Sequence, residues 1–198
     1  MNNYVYIVAG LPELHLSFED GTFSYQEVRD YFYAQLSDKD RTLVDLLEES
    51  FVDEKLNADF YQETGKCANA FLRQYFQFDL QVRNRKVYYL AKRLDKSPDQ
   101  YVIPTENVDF EEENKLQDIF LNADFVSREQ QMDQLKWEKI SELTRTDYLN
   151  LNVILGFLLK AKIVERWSKL DKKTGEDMFS RLVKEVHGTF SLSESGKN

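Results

Sequence analysis

Residues 148–175, YLNLNVILGFLLKAKIVERWSKLDKKTG, constrain the fold more than any other stretch, because one helical run changes its chemistry half-way along. From 149 to 159 the apolar residues Leu149, Leu151, Val153, Ile154, Leu155, Phe157, Leu158 and Leu159 point in nearly every direction around a helix. A helix that is apolar on all sides must be enclosed by other elements. Beyond Leu159 the apolar positions narrow to Ile163, Val164, Trp167 and Leu170, while Lys162, Arg166, Lys169 and Lys173 recur beside them at i, i+4, i+7 and i+11. The expectation is a helix that leaves the core at Leu159 and shows one cationic edge. The uninterrupted apolar run covers only residues 153–159, whereas a membrane span needs roughly 20 such residues. The segment therefore reads as a helix of a soluble protein.

The rest of the chain is read as helical too, since seven glycines and three prolines in 198 residues leave few breakers, and Leu, Glu, Lys and Gln are frequent. Ser24 with Glu27 and Ser37 with Asp40 mark two helix starts. A longer helix is expected from near Cys67 to Leu94, aromatic at first (Phe71, Tyr75, Phe76, Phe78) and basic at its end (Arg83, Lys86, Arg93), stopped by Ser97-Pro98. Further helices are expected over 110–121 and 127–143, with a last one opening at Thr174 and Asp177. The exception is the N-terminus, where Tyr4-Val5-Tyr6-Ile7-Val8-Ala9 and the alternation Leu14, Leu16, Phe18 predict two short extended pieces. Laying Leu94-Asp95-Lys96 over Leu170-Asp171-Lys172 places Val87 and Ala91 on Ile163 and Trp167, a faint internal repeat. The fold class expected is mainly α: a helical bundle of two similar units, 1–103 and 104–190, with a short extended N-terminal segment and a flexible tail, 191–198.

The net charge of -9 argues against free duplex nucleic acid as a partner. Cations nevertheless concentrate locally, residues 81–103 carrying six against two carboxylates. No phosphate-binding loop, GxSxG or HExxH occurs, and His15, His187 and the single cysteine, Cys67, sit in no motif. No catalytic, cofactor or metal residues are assigned, and the run Glu111-Glu112-Glu113 is read as a solvated helix start. An enzyme would need a deep polar pocket with converging carboxylates or either histidine. The absence of a secretory signal, together with the lone cysteine, predicts a cytoplasmic protein. The candidate partner-binding residues are Lys162, Arg166, Lys169 and Lys173, with Arg83, Lys86 and Arg93 of the earlier helix. A solvated face near a helix C-terminus explains the same stripe as well as an interface does. If it is an interface, reversing Lys162, Arg166 and Lys169 to Glu should weaken binding and leave the fold intact.

The strings YVYIVAGLPEL at 4–14, WEKISELT at 137–144 and KAKIVERWSKLD at 160–171 resemble a bacterial family of unassigned function found with V-type ATP synthase genes. Residues 154–158 (ILGFL) and 164–167 (VERW) are more faintly similar to the helical repeats of the funnel-shaped connector protein of V/A-type ATPases, which seats the central stalk on the membrane rotor ring. That resemblance implies a non-catalytic connector between stalk and ring, with stalk and ring subunits as partners and no cofactor. A free-standing helical adaptor or regulator is the alternative.

Overall fold

The structure, a computed structural model, describes residues 4–16, 23–105 and 110–169. These residues form eight α-helices and no strand: α1 (Tyr4–Ala9), α2 (Tyr25–Tyr33), α3 (Asp38–Glu49), α4 (Ala58–Gly65), α5 (Ala70–Arg93), α6 (Glu113–Leu121), α7 (Phe125–Leu143) and α8 (Leu151–Lys169). A single 3-10 turn, Asp53–Lys55, lies between α3 and α4. The mainly α fold is as expected.

Helix starts follow side-chain capping. Ser24 and Ser37 accept from the backbone N–H of Glu27 and Asp40, as the sequence pattern predicts. Asn57, Asn69 and Asp124 do the same for α4, α5 and α7, accepting from Phe60, Leu72 and Ser127. At the other end of α5, Asp95 takes a positive φ of 50° and the Lys96 N–H reaches back to the Ala91 carbonyl at 3.0 Å. A left-handed residue followed by a backward hydrogen bond closes the helix sharply.

The first of the two extended pieces expected at the N-terminus is overturned. Tyr4–Ala9, the first expected extended piece, is helical; of the second, Leu14 and Leu16 lie in the non-helical residues 11–16, and Phe18 is outside the described residues. β-Branched and aromatic residues prefer strands mainly because they pack well on a pleated surface. Here the packing surface is other helices: Ile7 is buried, α1 lies against α8, and the Tyr4 hydroxyl donates to Asp40 at 2.9 Å. Tertiary contacts outweigh the propensity of a six-residue segment.

Helix α8 is the centre of the molecule. Ile154, Leu155, Gly156, Phe157, Leu158 and Leu159 are all buried, as an all-round apolar helix requires. Helices α1, α2 and α3 pack on it from one side, with Phe157 edge-on to Phe32 at a ring separation of 5.6 Å. Helix α7 packs from another side, close enough that Gly156 faces Ile140 and Thr144. Helix α5 joins this body through α7 and carries α4 and α6. One hydrophobic core runs through residues of both expected units.

The second half of α8 departs from expectation. It does not leave the core at Leu159, because Ala161, Ile163, Glu165 and Trp167 are buried as well. A glutamate and an indole are tolerated inside because each finds a polar partner. Helices α5 and α8 share the strongly buried first half that suggested a repeat, but Leu170-Asp171-Lys172, Lys173, the Thr174 helix start and His187 lie outside the described residues.

Candidate functional site

Helical spacing sets residues 75, 79, 82, 83 and 86 along one side of α5, 129, 132, 133 and 136 along one side of α7, and 159, 162, 163 and 166 along one side of α8. The three sides converge on a cleft of about 560 Å³, rimmed by Phe51, Asp53 and Leu56 from the α3–α4 connection. The cleft brings Arg83, Lys86, Lys162 and Arg166 together, residues that the sequence offers as two separate basic stripes. Lys169 lies one turn beyond it on α8, Arg93 lies near the far end of α5, and Lys173 is outside the described residues.

Most of these cations are already engaged. The Lys86 amine contacts the Glu129 carboxylate at 2.9 Å, and Arg166 reaches both Glu129 at 2.8 Å and Asp133 at 3.1 Å. Lys162 and Lys169 clamp the two oxygens of buried Glu165, each at 2.8 Å, while one of those oxygens also accepts the Tyr25 N–H at the start of α2. The α8 stripe thus stitches the helix to α7 and supports the carboxylate that meets α2. Arg83 differs: it donates to the Tyr101 carbonyl at 3.0 Å and has no carboxylate at ion-pair distance among the described residues.

The floor of the cleft is a buried polar network. Asp79 accepts from the Tyr61 hydroxyl and from the Lys136 amine, both at 2.8 Å. Burial and the Asp79 charge push the Tyr61 phenol far above its ordinary value. Burial lowers the Lys136 amine, but Asp79 outweighs it and keeps the amine charged. Asp133 accepts the Trp167 indole N–H at 2.7 Å; burial holds its carboxyl above the usual range against the opposing pull of Arg166 and Trp167. Glu129 is the reverse case, since burial raises it but Lys86 and Arg166 win and hold it low. Beside these groups the Tyr75 side chain is only 5% exposed and its hydroxyl has no hydrogen-bond partner among the described residues.

Converging carboxylates are therefore present, but Asp79, Glu129 and Asp133 are each neutralised by a cation. The arrangement is built to hold charge in place. No group of three or more His, Cys, Asp or Glu side chains suited to a metal ion occurs among the described residues. His15 is exposed beside Glu13. The acidic run is not simply a solvated helix start either: Glu112 pairs with Lys139 and Glu113 with Arg85, both at 2.7 Å.

Residues 1–55 and 48–189 match the model of a family described as proteins of unknown function (DUF2764). The chain belongs to that family. No curated protein and no solved structure matches it.

A second surface in this family member lies at the tip of α5 and the α6–α7 turn. The Tyr89 ring stacks on Phe120 at 4.6 Å, with the Arg93 and Arg128 guanidinium groups at 5.1 and 5.9 Å from its centre. Arg128 also lies 5.8 Å from the Phe125 ring and donates to the Asn122 carbonyl. Neither arginine is within ion-pair distance of a carboxylate among the described residues. Leu121 is 81% exposed and Phe125 54%.

Sequence reasoning identifies the cations and misses what they meet. Asp79 follows Phe76 and Phe78 in an apolar run and stands four residues after Tyr75, the mark of a carboxylate on a buried face. Glu129, Asp133 and Lys136 recur at i, i+4 and i+7 beside Met132 and Leu135, a charged row on a packed side of α7. Both signals are present in the sequence, but pairing them with α5 and α8 requires the fold.

Proposed function

We propose that this chain is a non-catalytic connector of a V/A-type ATPase, cytoplasmic and peripheral to the inner membrane through the complex, seated between central stalk and rotor ring. The likeness of residues 137–144 and 160–171 to a family found with those ATPase genes supports the reading. The structural observation that carries it is the tip: stacked rings and exposed Leu121 and Phe125, flanked by Arg93 and Arg128, neither at ion-pair distance from a carboxylate among the described residues. Exposed aromatic residues and arginines outside any ion pair are the composition of interface anchors. A partner presenting carboxylates around an apolar contact would complete them. Arg93 keeps the role the sequence suggests for it, joined by Arg128. No helix among the described residues is long and apolar enough to cross a membrane, and membrane contact in this reading runs through the ring subunits.

The test is purification of the tagged chain from its own cells in mild detergent. Stalk or ring subunits should accompany it, and R93E/R128E should lose them, with wild-type binding weakening as salt rises. A wild-type chain that brings down no stalk or ring subunit sinks the connector reading. Stoichiometric capture of a protein unrelated to the ATPase, lost in R93E/R128E, would establish a free-standing adaptor instead.

A further inference from the structure

The cleft between α5, α7 and α8 has a use that the connector role does not require. Its volume of about 560 Å³ lies in the range of small-molecule sites. What decides the ligand class is which hydrogen-bonding capacity remains unspent. The carboxylates are occupied: Asp79 accepts two bonds, one on each oxygen, Glu129 is held by Lys86 and Arg166, and Asp133 by Arg166 and Trp167. The donors are not. Lys136 and Lys86 each make one hydrogen bond with an ammonium that has three donors, and Arg83 makes one with a guanidinium that has five. Tyr75 is 5% exposed as a residue, and its hydroxyl donates to nothing among the described residues; since none of their fully buried side-chain oxygens lacks a partner, this one opens into the cleft. Phe51, Phe76, Met132 and Leu159 add apolar atoms to the same lining.

We propose that this cleft binds a small organic anion, its carboxylate or phosphate oxygens taken by Tyr75, Arg83, Lys86 and Lys136 and its aromatic or aliphatic body laid against the half-buried ring of Phe51. Of the five cations around it, Lys86, Lys136, Lys162 and Arg166 each have a carboxylate at ion-pair distance and Arg83 has none among the described residues, so one added negative charge has a cation to meet. Charge-assisted hydrogen bonds in a partly desolvated site are the strong ones, which is how a small ligand gains affinity here. The proposal is independent of the connector reading.

Tyr75→Phe separates ligand binding from structure, because a hydroxyl without a protein partner should be removable without loss of stability. Calorimetric titration at low salt would use phenyl phosphate, benzoate, inorganic phosphate and benzyl alcohol. Saturable binding is expected for phenyl phosphate or benzoate, and which of the two binds more tightly distinguishes phosphate from carboxylate. Inorganic phosphate, without the apolar body, and benzyl alcohol, without the charge, should bind more weakly. Y75F and R83M should each weaken binding about tenfold, the equivalent of ~1.4 kcal/mol, while K115M, on the exposed face of α6 away from the cleft, should leave it unchanged. Absence of saturable binding by every probe up to millimolar concentration overturns the proposal. So does binding that is equal in wild type, Y75F and R83M.

Discussion

Replacing Gly156 by alanine tests the closest approach of α8 to α7. An added Cβ would stand 2.9 Å from the Thr144 methyl, 3.2 Å from an Ile140 methyl and 3.6 Å from the Phe71 ring. Non-bonded carbons prefer about 3.5–4.0 Å, so two of those contacts are repulsive. Thr144 cannot simply turn its methyl away, because its hydroxyl donates to the Ile140 carbonyl at 2.8 Å and fixes the rotamer. Overpacking of this kind costs about 1–3 kcal/mol, and the gain in helix propensity on leaving glycine returns roughly 0.5–1 kcal/mol. Taken at the middle of each range, the expected net loss is about 1 kcal/mol by urea unfolding, with a fall in Tm of roughly 2–4 °C for a chain of this size. Thr144→Ser removes the nearer methyl and keeps the hydroxyl, so G156A in a T144S background should recover on the order of 1 kcal/mol in a double-mutant cycle. Ile140 remains in place, so recovery should be partial. A G156A protein as stable as wild type or more so, or a cycle with no coupling, would refute the close-contact argument.

Two further outcomes follow from the ion pairs. K162E/R166E/K169E, a substitution that the sequence alone suggests is harmless to the fold, should destabilise by on the order of 3 kcal/mol, because it sets carboxylates against Glu165, Glu129 and Asp133. That figure is the low end for a broken buried pair, since Arg166 is itself 43% exposed; unaltered denaturant midpoints would show that the network is not structural. In acid, Glu129 and Glu165, held below their ordinary value of 4.5 by their lysine and arginine partners despite burial, should stabilise fully above that pH and lose their contribution as pH falls through the lower folded-state values. Asp133, raised by burial, has the opposite sign and is relieved by protonation. E129Q should therefore flatten the acid limb of the stability profile, and an acid limb identical to that of wild type contradicts the assignment.

The helices are legible wherever their signals are local. Ser24, Ser37 and the apolar ring of residues 154–159 rest on short-range capping and on the number of directions in which apolar side chains point. The α1 segment escapes such a reading because YVYIVA carries strand propensity, and only contact with α8 overrules it. In the site, the basic stripes are visible as spacing, yet their meaning depends on Glu129 and Asp133, more than 30 residues from Arg166 in sequence. The same spacing describes a solvated edge and an internal ion-pair seam. Which of them it is follows from the neighbouring helix.

The packing of α1, α2 and α3 on α8 sets an order on how the molecule is made. The sides of those first helices that meet α8 are covered by a helix that ends about 120 residues after Glu49. At translation rates of about 5–20 residues per second, that is an interval of roughly 6–24 s. Helices α4 to α7 can assemble among themselves during that time, because their contacts with one another need nothing from α8. The N-terminal helices are joined to one another by polar contacts, Tyr25 and Arg29 of α2 with Glu48 of α3 and Tyr4 of α1 with Asp40 of α3, but the sides that meet α8 wait in water until it has been synthesised. The oldest part of the nascent chain is therefore among the last to become native.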